Sequence, residues 1–236
     1  MMNIGCSLCG WNDLKVYANH NVFYEFAYTV LSETGIVCYE IPYVPQLEYN
    51  FKFCESFLDK VYSIHASKYI FERDFDTIVE YFTKLKHYCN ILNCKNIVVH
   101  PPPIGSEYKL ELALKATSGI CISIETVTNN AFIVYHQYAK YCKMTIDISH
   151  LLYLEQQDMF YGLLHDEISH FHVRGYSKNV RYVSLDKNNT KQLTVFLQNI
   201  HKHYSQPYII EYPFTSIDEL RLDIKKLKFI TQERGE

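Results

Sequence analysis

Eight short apolar runs recur along the chain and constrain its fold more than any other feature. Most are rich in Val and Ile and continuous rather than alternating, as in parallel strands that are buried on both faces. Their starts lie about 25 to 40 residues apart, the length of a strand, a helix and their loops. The runs are Asn3–Cys6, Ile36–Ile41, Val61–His65, Asn96–His100, Ile120–Glu125, Met144–Asp147, Ile168–Val173 and Tyr208–Glu211.

Helical patterns fill the intervals between these runs. Ser216 to Glu219 forms a capping box that opens a last helix, and Leu151–Glu167 has an amphipathic pattern. The clearest i, i+3, i+4 spacing links Phe75, Ile78, Val79, Phe82, Leu85 and Cys89. Eight strand–helix units predict an α/β protein, a (β/α)8 TIM barrel, as a single domain over residues 1–236. An open doubly wound sheet is the alternative, but the G-x-G-x-x-G turn of dinucleotide-binding sheets is missing.

Composition and charge narrow the class of protein. The chain is 48% apolar and 21% charged, and its net charge of −3 gives no general attraction to nucleic acid. No apolar run approaches the roughly 18 residues that span a bilayer, and residues 1–10 lack the pattern of a secretory signal. Because the eight cysteines are scattered, as in reduced proteins, we expect a cytoplasmic protein.

One cysteine pair has the spacing of a metal or redox motif. Cys6 and Cys9 form a C-x-x-C, but a zinc site of four thiolates needs a second pair at the same end of the barrel. Cys89 and Cys94 precede a strand, whereas Cys6 and Cys9 end one. We therefore interpret these thiols as core and loop residues.

Six consecutive strands end in a residue that can bind a metal. Since the C-terminal ends of parallel barrel strands meet at one mouth, we expect these side chains to converge there. Carboxylates are costly to bury in apolar strands unless paired or metal-bound, and together with imidazoles they bind Zn, Mn, Fe or Co. His170, two residues before His172, is interpreted as a structural residue or as one that supports a ligand without binding the metal. The strand-end residues are His65, His100, Glu125, Asp147, His172 and Glu211.

Four of these strand ends carry a family resemblance that covers nearly the whole chain. Ile122-Ser-Ile-Glu125, Asp147-Ile-Ser-His150, Phe171-His172-Val173 and Ile209-Ile-Glu211, in this order, resemble the xylose isomerase-like barrel superfamily. This group contains sugar isomerases, sugar epimerases and AP endonucleases of the endonuclease IV type. The run from Gly35 to Glu40 also resembles the family's second strand, where a Glu is frequent.

The resemblance implies a divalent metal cofactor and a catalytic set. Its ligands would be Glu125, Asp147, His172 and Glu211. Glu125 and Glu211 would remove and return a proton next to a substrate carbonyl, with His150 contacting substrate oxygens. The metal would polarise that carbonyl.

The endonuclease branch of the family implies further positions for a metal or the substrate. They match His65, His100, His150 and Asp186. The branch's Asp-x-His motif after the seventh strand reads Asp186-Lys187-Asn188 here, so a third metal is not expected. Thr126 and Gly175 likewise replace the Asn and Asp that are common in the family. A positive loop suited to a phosphate group carries Arg174, Lys178 and Arg181.

Three functions fit these features, and the sequence leaves the oligomeric state open. The first is a metal-dependent isomerase or epimerase of a sugar or sugar phosphate. The second is an endonuclease IV-like phosphodiesterase that acts on abasic DNA. The third is a non-catalytic barrel that binds a small ligand.

Overall fold

Parallel strands form a closed barrel at the centre of the molecule. The computed structural model describes residues 3–8, 20–43, 60–177, 180–187, 190–212, 214 and 216–232. In chain order, the strands are β1 (Ile4–Ser7), β2 (Cys38–Pro42), β3 (Val61–His65), β4 (Asn96–Val99), β5 (Cys121–Glu125), β6 (Cys142–Asp147), β7 (Ile168–Val173), β8 (Gly175–Ser177), β9 (Val180–Val183) and β10 (Tyr208–Ile210). Eight of them close the barrel in the order β1-β10-β7-β6-β5-β4-β3-β2, while β8 and β9 form a separate antiparallel pair. The predicted (β/α)8 fold is confirmed.

Helices connect the strands and cover the outside of the barrel. Those in the described part of the chain are α1 (His20–Thr34), α2 (Phe75–Ile91), α3 (Tyr108–Ala116), α4 (Ala131–Tyr138), α5 (Ile148–Tyr153), α6 (Gln157–Tyr161), α7 (Lys191–His203) and α8 (Ile217–Gln232). None of these helices has the length and apolar character needed to pass through a membrane.

Helix α2 shows how the predicted pattern becomes structure. The Asp74 carboxylate accepts a hydrogen bond from the Thr77 backbone N–H at 2.9 Å and so caps the first turn. The apolar stripe packs against the barrel, whereas Phe75, at its start, is 57% exposed. The buried residues of this helix are Ile78, Phe82, Leu85 and Cys89.

The amphipathic pattern predicted over Leu151–Glu167 is not one helix. The structure divides it into the end of α5, the short helix α6 and a 3-10 turn at His165–Glu167. Glu155, just after α5, has a positive φ of 56°, a left-handed conformation that a continuous α-helix cannot contain. The break allows this segment to turn before β7 begins.

The serine half of the capping box predicted at Ser216 is present at the start of α8. The Ser216 hydroxyl oxygen accepts from the Glu219 backbone N–H at 3.2 Å. The Glu219 carboxylate accepts from Lys187 Nζ at 2.9 Å. This exposed contact joins α8 to the turn after β9.

Candidate metal site at the barrel mouth

Four strand-end side chains meet at the C-terminal mouth of the barrel. One ligand atom from each of Glu125, Asp147, His172 and Glu211 lies within 4.8 Å of the others. Strand register sets this arrangement, because Asp147 on β6 pairs with His172 on β7, which pairs in turn with Ile209 on β10. His172 Nδ1 lies 2.8 Å from Glu125 Oε1 and 3.0 Å from Glu211 Oε2. The convergence predicted from the strand ends is therefore present for these four residues.

A second group of potential ligands shares Glu125 with the first. His65 Nε2 lies 3.2 Å from Glu125 Oε2, and His100 Nε2 lies 3.1 Å from the same oxygen. One carboxylate thus faces His172 through Oε1 and two further histidines through Oε2. Oxygen and imidazole nitrogen donors at this spacing fit a divalent transition metal.

The Asp147 carboxylate accepts two hydrogen bonds from residues outside the group of four potential ligands. As the N-cap of α5, it accepts from the His150 backbone N–H at 2.9 Å through Oδ1. Its Oδ2 accepts from Arg174 at 2.6 Å, and both side chains of this ion pair are buried. Arg174, predicted to bind a phosphate, therefore contacts Asp147 directly at the mouth.

Charge is balanced differently among the mouth residues. Burial opposes ionisation of Glu125, but His172 holds the pKa of that carboxyl well below its ordinary value. Burial likewise opposes protonation of His172, yet Glu211, Glu40 and Glu125 raise its pKa well above normal. The hydrogen bond from His65 to Glu125 overcomes burial and raises the pKa of His65 to about 9. Without a metal, cationic histidines therefore compensate the carboxylates.

The pKa of Asp147 shifts in the opposite direction from the pKa values of the other two carboxylates at the mouth. Burial raises the pKa of Asp147, and the Arg174 guanidinium opposes that rise. Burial also opposes ionisation of Glu211, but His172 lowers its pKa. A bound divalent cation would favour the charged form of all of these carboxylates.

A buried polar layer lies directly beneath the mouth. Glu40 on β2 is fully buried, and its Oε2 lies 3.2 Å from His172 Nε2 and 3.3 Å from His170 Nε2. Ser7 and Ser63, on the neighbouring strands, donate hydroxyl hydrogen bonds to the same carboxylate. Sequence reasoning gave Glu40 no role, although its resemblance to the family's second strand was a usable signal.

The mouth opens into a cavity of about 440 Å³, a size suited to a small ligand. His150, which was predicted to contact the substrate, lines this cavity together with Arg174. Lys68, which was not predicted, adds a cationic side chain to the lining. The residues around it are His65, Ala66, Lys68, His100, Glu125, Val127, Thr128, Asp147, His150, Arg174 and Glu211.

One of the predicted additional residues, Asp186, does not join the mouth group, and the side chains of two others lie outside the described residues. Asp186 is exposed on the turn after β9, where its backbone N–H donates to Asp223 Oδ1 at 2.9 Å. Arg181 belongs to β9, but its side chain lies outside the described residues, as does Lys178. Cys9 of the C-x-x-C is also outside them, and Cys6 is a buried free thiol.

Comparison with solved structures identifies the fold. No protein-family model and no curated protein sequence matches the chain. D-allulose 3-epimerase from Methylomonas sp. superposes with a TM-score of 0.68 at 15% identity, over 98% of this chain and 97% of the epimerase. A sugar phosphate isomerase/epimerase from Parabacteroides distasonis gives 0.66 at 10% identity, over 98% of this chain and 94% of that one.

A nuclease shares the same architecture. Endonuclease IV from Thermus thermophilus gives a TM-score of 0.65 at 14% identity, over 98% of this chain and 100% of the nuclease. The chain thus shares the barrel fold of these two epimerases and this nuclease. At these identities the likeness defines the fold, and the function has to be argued from the site.

Proposed function

We propose that the chain is a metal-dependent isomerase or epimerase of a sugar or sugar phosphate. The observation that carries this proposal is the pair Glu125 and Glu211. Both carboxylates line one cavity of about 440 Å³, and both contact the same nitrogen of His172. Two carboxylates beside one small-molecule cavity provide a base and an acid for proton transfer.

The donor set fits a divalent cofactor. Glu125, Asp147, His172 and Glu211 would hold it, and when bound it would polarise the substrate carbonyl and acidify the adjacent C–H. The four donors are oxygens and an imidazole nitrogen, which suits Zn, Mn, Fe or Co. Cationic His65, His172 and Arg174 contact these carboxylates, and a bound divalent cation would provide further positive charge.

The chain's own residues would move the proton. One glutamate takes the proton from the carbon beside the carbonyl, and the C–H electron pair forms a carbon–carbon double bond as the carbonyl oxygen becomes negative. The other glutamate, which must be protonated at this stage, then donates its proton to the carbon, and the double-bond electron pair forms the new C–H bond as the carbonyl is restored. His150 and Arg174, which line the cavity, would orient substrate hydroxyl or phosphate oxygens.

Solvent isotope exchange tests this proposal. The metal-loaded protein is incubated in D₂O with ketohexoses, pentuloses and their phosphates, and deuterium entering the carbon beside the carbonyl is followed by ¹H NMR. We expect incorporation for at least one sugar, and a loss of about 10²- to 10⁴-fold in Glu211→Gln. Glu80→Gln on the exposed face of α2 is the matched control and should retain the wild-type rate. Equal exchange by Glu211→Gln and wild type would refute the role of Glu211.

The second ligand group favours one other candidate, a phosphodiesterase acting on abasic DNA. His65, His100 and Glu125 form a set adjoining the first through a shared carboxylate, and paired metal ions suit phosphodiester cleavage. This candidate predicts two bound ions per chain and cleavage of a duplex with one abasic site. Such cleavage, with no isotope exchange in any sugar, would replace the isomerase proposal. Neither activity and no bound metal would favour a ligand-binding barrel.

A further inference from the structure

Glu40 occupies an unusual place for a carboxylate. It lies inside the barrel beneath the mouth and is fully buried, where branched apolar side chains normally fill the interior. A buried carboxylate is costly unless it is hydrogen-bonded. This one sits against the Nε2 edge of His172, at 3.2 Å.

Two hydrogen bonds to Glu40 come from residues that lie beside it on the neighbouring strands. Ser7 on β1 and Ser63 on β3 are its register partners on the two adjacent strands. Their hydroxyls donate to Oε1 at 3.2 Å and to Oε2 at 2.8 Å. Because both partners are small, the carboxylate has room to face His170 and His172 across the barrel.

His172 connects this layer to the mouth through its two ring nitrogens. Nδ1 lies against Glu125 and Glu211, whereas Nε2 lies 3.2 Å from the Glu40 carboxylate and 3.1 Å from His170 Nε2. An imidazole that binds a metal through Nδ1 keeps its remaining proton on Nε2. A carboxylate at Nε2 favours that tautomer, fixes the ring orientation and strengthens the ligand.

We propose that Glu40 is a positioning residue that holds His172 as an Nδ1 ligand. It acts through the imidazole and touches neither substrate nor metal. The inference rests on the proposed metal site at the mouth. It gives the polar interior layer a role in metal affinity that a purely structural layer would not have.

Replacement of Glu40 by Gln tests the proposal in the full-length chain. The variant keeps the side-chain size but loses the anionic acceptor, so affinity for Mn²⁺ in an equilibrium titration of metal-free protein should fall by about 10- to 100-fold. Asp223→Asn is the matched control. Asp223 is an equally buried carboxylate that accepts from Ser184 and Leu185, and its replacement should leave Mn²⁺ affinity unchanged.

A spectroscopic measurement on the wild-type chain covers the case in which Glu40→Gln fails to fold. With ¹⁵N-labelled histidine and bound ¹¹³Cd²⁺, we expect metal coupling to His172 Nδ1 and a proton on Nε2. Coupling to Nε2, or a folded Glu40→Gln variant with wild-type Mn²⁺ affinity, would overturn the role of Glu40 alone. Failure of the wild-type chain to bind either ion would refute the proposed metal site as well.

Discussion

The mouth of the barrel and the layer beneath it are both polar, but they balance charge in different ways. His170 and His172 stand two residues apart on β7, and their pKa values shift in opposite directions. Burial lowers the pKa of His170, whereas the surrounding carboxylates, acting against burial, raise that of His172. Four neighbours provide hydrogen bonds for the single carboxylate of the lower layer. The mouth instead groups three carboxylates that need cations.

This contrast assigns different tasks to the two layers. The lower layer holds one carboxylate that Ser7, Ser63, His170 and His172 all contact, so it can act as a fixed support. The mouth is compensated by protonated histidines and by Arg174, and a metal ion can displace those protons.

Glu125→Gln should give the largest effect, because Glu125 joins both ligand groups. Removing its charge should weaken Mn²⁺ binding by more than the roughly 100-fold that loss of an outer partner causes. Isothermal titration of the metal-free variant measures this, with Glu80→Gln as the exposed control. Wild-type affinity in Glu125→Gln would show that the mouth carboxylates are not ligands.

Arg174→Met should destabilise the metal-free protein by about 3–5 kcal/mol, since it leaves the buried Asp147 carboxylate without its partner. Added Mn²⁺ should restore part of the loss by binding the folded state. Urea unfolding with and without Mn²⁺ gives both values. The control Arg221→Met removes exposed ion pairs and should cost only about 0–1 kcal/mol. Similar losses of unfolding free energy in the two variants would contradict a stabilising role for the buried ion pair between Arg174 and Asp147.

The pH dependence of metal binding should follow the histidines. The pKa of His65 is raised to about 9, so its ion pair stabilises the metal-free fold fully below the unfolded pKa near 6.5 and is lost as pH rises through 9. A metal that binds Glu125 takes the carboxylate that holds this proton and so favours its loss, and affinity should increase by up to about tenfold per pH unit across that range. His65→Gln should flatten the profile. A wild-type affinity that stays constant between pH 6.5 and 9 would argue against proton displacement.

The barrel and its mouth could be predicted because both follow from short-range patterns. Continuous apolar runs define buried parallel strands, and a ligand-type residue at the end of each run places Glu125, Asp147 and His172 at one face. Neighbouring strands then bring these residues together without any further information. For this reason the fold and the convergence of the strand-end residues follow from the sequence pattern, whereas the choice of four ligands among them came from the family resemblance.

What could not be predicted depends on pairing across strands. Glu40 lies before the end of its strand, and its partners Ser7 and Ser63 are set by register, which the sequence does not reveal. The Arg174 contact with Asp147 depends in the same way on where β6 and β7 end. The prediction of one helix through Glu155 was wrong. This residue has a left-handed backbone conformation, which ends the helix although the apolar periodicity continues.

Anomalous diffraction at the zinc edge from crystals of the full chain soaked in Zn²⁺ would show whether the strand-end residues at the mouth bind a metal. We expect a peak about 2.0–2.2 Å from Glu125, Asp147, His172 Nδ1 and Glu211. A peak between Glu40, His170 and His172 Nε2, or no peak at the mouth, would contradict this expectation.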